Sequence, residues 1–149
     1  MKDMFEEHNI AERIALWGAG LTPEDLPVAT RAKMRDILID IVGLCVASRA
    51  TDYVGSVIAA SEPGDFTVIA QLQGAAASSA ALVNGTASHG EDFDDTFEGG
   101  PVHTGVVIVP ALLAAAEVHK LENDRVVLSM AACTELLCRL ALTLPKGVH

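Results

Sequence analysis

Between positions 84 and 105 the chain gathers five carboxylates (Glu91, Asp92, Asp94, Asp95 and Glu98) and two imidazoles (His89 and His103). Apolar, small-residue segments flank this island on both sides. That contrast constrains the fold more than any other feature. The flanking segments must pack, but the island cannot follow them into an apolar core, where each unpaired polar group costs about 2–7 kcal/mol and a charge more. The fold must therefore carry the island between two packed elements, within reach of water or of compensating charge. No Lys or Arg occurs between Arg49 and Lys120, an interval holding nine Asp or Glu. A balancing cation must come from elsewhere in the chain, from a partner, or from a metal.

Half of the residues are hydrophobic and only 4% are aromatic, so Ala, Val, Leu and Ile supply the apolar mass. This suits closely packed helices better than a sandwich of aromatic cross-strand pairs. An all-α, bundle-like domain of about six helices is the expected class. A short amphipathic helix runs from Ile10 to Trp17 and ends at Gly18 and Gly20. Thr22-Pro23-Glu24-Asp25 has the form of a cap followed by proline at a first helical position. A long helix from Val28 to Ala47 places Met34, Ile37, Leu38, Ile41, Val42 and Cys45 on one face. Asp52 to Ala60 is a further helix, ended by Pro63-Gly64, and 66–70 has the composition of a strand without an obvious partner. Ala75 to His89 fits a helix, although Asn84-Gly85 equally signals a turn. Val109 to Leu121 reads as a helix with Pro110 in its first turn. Asn123 is placed to cap a last helix from Asp124 to Leu142. The helices are apolar around much of their circumference, which predicts burial by further chain or by a second subunit.

The net charge of -10 argues against nucleic acid or an anionic lipid surface as partner. No uncharged stretch is a clean membrane span. Residues 1–8 lack an apolar signal core. The three cysteines (Cys45, Cys133 and Cys138) are odd in number, form no CxxC and lie in apolar helical patterns. They read as core thiols in a reducing, cytoplasmic setting.

Acid–base chemistry fits the island best. A crowded carboxylate and a neighbouring imidazole make a pair that can give and take a proton. Asp92 and Asp95 with His103 supply it, and Thr96 adds a hydroxyl to orient a substrate oxygen. Taken singly, Glu91, Asp94 and Glu98 read as solvated loop carboxylates. His89, Asp92, Asp94, Asp95 and His103 are competent metal ligands, but they match neither a calcium loop nor an H-E-x-x-H helix. Binding of a hard metal by the carboxylates remains open. Ser78, Ser79 and Ser88 lack a nucleophile elbow, and Gly99-Gly100-Pro101 lacks a phosphate-loop lysine.

The run Asn84-Gly85-Thr86-Ala87-Ser88-His89, then Asp92-Phe93-Asp94-Asp95-Thr96, then His103, then Val109-Pro110-Ala111 resembles the MmgE/PrpD family. Leu26-Pro27 before the long helix resembles that family's opening block. The resemblance implies the N-terminal part of a larger, largely all-α domain that works as a homodimer without a cofactor or metal. It implies a small polycarboxylate substrate of the 2-methylcitrate dehydratase, cis-aconitate decarboxylase or iminodisuccinate epimerase type. By motif position, Asp92, Thr96 and His103 are its catalytic residues, with Asp95 and His89 beside them as substrate contacts. Thr104 stands where members of the family have proline. Their site is completed by a downstream histidine and lysine, so this chain is expected to hold half of the catalytic groups and to turn over little alone. Lys146 and His149 are poor replacements for them. The alternative is a truncated helical association module without catalysis.

Overall fold

The computed structural model describes residues 8–143; the expectations for Lys146 and His149, and for residues 1–7, lie outside them. The described residues form six α-helices and one short strand: α1 (Ile10–Gly20), α2 (Val28–Ser48), α3 (Asp52–Ala60), β1 (Pro63–Phe66), α4 (Ala77–His89), α5 (Thr104–His119) and α6 (Asn123–Leu142), with a 3-10 turn at Pro23–Asp25. The all-α expectation is met, and no helix among the described residues is long and apolar enough to cross a membrane.

Helix α2 is the spine. Its buried residues Met34, Ile37, Ile41, Cys45 and Ser48 recur at steps of three and four, which is one face of a 3.6-residue helix. The first half of that face packs with Val106 and Val109 of α5 and Met130 of α6. The second half, through Cys45, joins Val54, Val68, Ala75, Ala80, Val83 and Ala87. Polar contacts fasten α2 to α4 as well. Ser48 Oγ lies 2.6 Å from the Ala87 carbonyl oxygen, and Cys45 Sγ donates to the Asn84 carbonyl at 3.3 Å.

Burial pushes the Cys45 thiol up from 9.0 to about 11. Near neutral pH a thiol reagent is expected to modify exposed Cys133 at once and Cys45 only on unfolding, as read by mass spectrometry over time. The folded thiol keeps its proton more tightly than the unfolded one. Its contribution to stability is therefore complete below pH 9 and is lost as the pH climbs through about 11. Because Cys133 is exposed and Cys138 half-buried, only Cys45 is a core thiol.

Several element boundaries differ from the sequence expectation. Helix α1 continues through Gly18 to Gly20 and buries no residue. Its start is fixed by Asn9, which accepts from the Glu12 N–H at 3.0 Å while Glu12 accepts from the Asn9 N–H. The strand lies at Pro63–Phe66 rather than at 66–70, and its bridges among the described residues are isolated antiparallel ones to Ala75. The 67–69 backbone is satisfied by side chains instead. Asn84 donates Nδ2–H to the Thr67 carbonyl at 3.0 Å and accepts the Ile69 N–H at 2.8 Å, and the Thr67 N–H donates to Glu117 at 3.1 Å. Asn84-Gly85 therefore makes no turn; α4 runs through both, because the asparagine amide is used across the core rather than on its own backbone.

Helix α5 begins five residues earlier than expected, at Thr104, so Pro110 lies inside it. Proline removes the donor for the Val106 carbonyl. That carbonyl faces Gly85, where an added Cβ would stand 3.5 Å from its oxygen. Helix α6 starts at Asn123 with Glu122 before it, so Asn123 is inside the helix and not its cap. The Arg31–Asp124 ion pair, at 2.7 Å, links the start of α2 to the start of α6.

Candidate active site

The site lies where α4 ends and α5 begins. His89 is the last residue of α4 and His103 directly precedes α5. The loop between them closes on itself. The Asp92 N–H donates to the His89 carbonyl at 2.9 Å, and Asp92 takes a left-handed conformation (φ 56°). Aspartate tolerates that region better than most residues. The turn throws Asp92 outward and Asp94 inward.

Asp94 is the centre of the site. Its side chain is 0% exposed, and its two oxygens are shared between two rings: His89 Nδ1 at 2.9 Å from Oδ1, and His103 Nδ1 at 2.8 Å from Oδ2. The rings meet edge-on with centroids 5.1 Å apart. An ionised carboxylate can only accept; with Asp94 in that form, hydrogen sits on both Nδ1 atoms, and a neutral ring then presents Nε2 as its free lone pair. The sequence expectation of Asp94 as a solvated loop carboxylate is thus overturned. No spacing rule links His89, Asp94 and His103; only the reversal of the chain between α4 and α5 makes them neighbours. Glu91 and Glu98 are exposed, as expected, and Glu91 accepts from the Tyr53 hydroxyl at 3.1 Å.

The other expected residues are distributed around this core. Asp92 Oδ1 lies 3.8 Å from His103 Nε2, with the Asp92 side chain 76% exposed. Thr96 is exposed on the loop, and its hydroxyl has no hydrogen-bond partner among the described residues. Asp95 has both oxygens engaged at the start of α5: Thr104 Oγ1 donates to Oδ2 at 2.6 Å and the Gly105 N–H donates to Oδ1 at 2.8 Å. A carboxylate there satisfies an orphan donor and complements the helix dipole. Thr104 occupies the first helical position, where proline is also well tolerated, and its hydroxyl uses Asp95 in a way proline cannot. Gly105 leaves no room for a side chain, since an added Cβ would collide with Asp95 Oδ1 and press on Ile37 and Ile41 of α2. This close approach sets the start of α5, and with it His103, against the spine.

Asp95→Ala is expected to lower stability by about 1–3 kcal/mol in urea unfolding, because it strands the buried Thr104 hydroxyl and Gly105 N–H.

The chain is 28% identical over 131 residues to a cis-aconitate decarboxylase-like protein, oryM, of Aspergillus oryzae, covering 85% of this chain and 27% of that protein. It is 24% identical over 120 residues to cis-aconitate decarboxylase of Aspergillus terreus, covering 78% of this chain and 24% of that enzyme. The chain thus spans about a quarter of the length of these curated relatives. No solved structure matches at a significant level. The family model for the MmgE/PrpD N-terminal domain matches residues 12–148, nearly the whole chain, and the chain therefore belongs to that family.

Proposed function

We propose that this chain supplies one half of a site for proton transfer next to a carboxylate of a small polycarboxylate. One observation carries the reading: a fully buried carboxylate holds two imidazoles by their Nδ1 atoms and leaves the Nε2 of His103 beside an exposed aspartate. Asp94 fixes ring orientation and hydrogen placement, which is the role a carboxylate has behind a histidine base. His103 Nε2 takes or delivers the proton, and Asp92 is its exchange partner. Thr96, exposed on the loop, orients a substrate oxygen. His89 contacts substrate from the α4 side. Asp95 positions His103 by fastening α5.

The relatives' printed activity, cis-aconitate decarboxylation, is one member of this reaction type: carbon dioxide leaves and the carbon receives a proton. Dehydration and epimerisation need the same proton carrier. The assembled protein uses no cofactor and works in the cytoplasm, with α-helical faces covered by a second copy or by further chain. Leu82 of α4, Phe93 of the loop and Val107 of α5 are exposed, and such a cover would bury them. The cations that a polycarboxylate requires come from that added chain.

The test is turnover of cis-aconitate and 2-methylcitrate by this chain with and without the downstream segment. Turnover that appears only with that segment, and that needs His103, supports the reading. Robust turnover by the isolated chain, unchanged in His103→Ala, contradicts it.

A further inference from the structure

We propose that Tyr53 of α3 is a positioning residue that sets the Asp92 turn. The inference rests on the acid–base reading above only for the use made of that turn. Tyr53 lies in the first turn of α3. Its neighbour Val54 is buried with Ala80, Val83 and Ala87 of α4, and Tyr53 packs against the same cluster. The ring covers Gly90, where α4 ends: a Cβ added there would collide with Cε2 and Cζ and stand 2.7 Å from the hydroxyl oxygen. The hydroxyl reaches one residue further and donates to Glu91 Oε1 at 3.1 Å. Tyr53 therefore grips the chain at two successive residues.

The next residue is Asp92, with φ 56° and its N–H on the His89 carbonyl at 2.9 Å. A non-glycine residue in the left-handed region persists only where its surroundings over-determine it. Downstream, Asp94 is tied to both rings, and Asp95 to Thr104 and Gly105. Asp92 and Phe93 are themselves exposed, so the turn is fixed from its two ends. Upstream, Tyr53 holds it from α3. The 3.8 Å separation of Asp92 Oδ1 from His103 Nε2 is thus set by where α3 places a ring. Tyr53 acts through the backbone of residues 90–92 and not on the proton.

NMR of the labelled whole chain reads the turn without any substrate, because positive φ at Asp92 gives an intense intraresidue amide–Hα cross-peak. Tyr53→Ala removes both grips and is expected to lose that intensity. Tyr53→Phe and Glu91→Ala remove only the hydroxyl contact and are expected to weaken it, with the Tm of the parent. Glu91→Gln still offers an acceptor oxygen and is expected to keep it. In the assembled protein, with cis-aconitate, Tyr53→Phe is expected to lower kcat about 3- to 10-fold, the worth of one hydrogen bond, with KM within about twofold. Adding Glu91→Ala to it should cost nothing more. A parent-like Asp92 cross-peak in folded Tyr53→Ala or in Tyr53→Phe would overturn the proposal. So would disturbance in Tyr53→Phe spread along all of α4, which would make the ring a packing group alone, or a parent-like kcat in Tyr53→Phe where His103→Ala abolishes turnover. Turnover that does not need His103 would instead refute the acid–base reading, and the cross-peak would then decide the role of Tyr53 by itself.

Discussion

His103→Ala is expected to reduce turnover of the assembled protein on the order of 100- to 10,000-fold, the range for loss of a positioned acid–base group. The fold is expected to survive it. His103 is 27% exposed, and its removal leaves Asp94 with His89 as partner. Steady-state kinetics beside a melting curve separates the two effects: kcat falls while Tm stays near that of the parent. A loss of activity matched by unfolding would mean that the ring only braces the loop. Asp94→Asn gives a graded control. It keeps the volume but offers a single acceptor oxygen to two Nδ1 donors, and a loss of about 10- to 100-fold is expected, as for groups that orient a functional histidine.

The largest effect on stability is expected at Asn84. Asn84→Ala would leave the Thr67 carbonyl and the Ile69 N–H without their partners. Each stranded group costs about 1–3 kcal/mol, so a loss of roughly 2–5 kcal/mol is expected in urea unfolding. Such a loss is a large part of the stability of a domain of this size. Asn84→Asp discriminates the cause. It keeps the acceptor for Ile69 but sets a carboxylate against the Thr67 carbonyl, so it should be as damaging as alanine. If both variants unfold like the parent, the 67–69 segment is held by Val68 packing and Glu117 instead.

The helices were legible because their apolar positions follow one period. The face Met34, Ile37, Ile41, Cys45 of α2 was read correctly from spacing. Boundaries failed where a side chain outweighed a local rule. Asn-Gly signals a turn only while the asparagine serves its own backbone; here its amide serves residues 67 and 69, and the helix continues. Pro110 suggested a helix start, but α5 is secured further upstream by Asp95 on Thr104 and Gly105, a contact across ten positions that periodicity does not contain. The same blindness affected the site. Composition marked the island, and the family motif marked Asp92, Thr96 and His103. Neither marked Asp94, because a carboxylate looks solvated in sequence until the fold shows which one turns inward. The distinction between Asp92 and Asp94 rests on one left-handed residue in the loop.

Long-range proton–nitrogen correlation spectra of the uniformly labelled chain test the Asp94 arrangement most directly, since they report which ring nitrogen of each histidine bears hydrogen. Neutral His89 and His103 should both appear as the Nδ1–H form, unlike exposed His119, and both should lose that preference in Asp94→Asn. A wild-type His103 found as the Nε2–H form would mean that Asp94 does not hold it, and the proton carrier proposed here would have its lone pair on the wrong nitrogen.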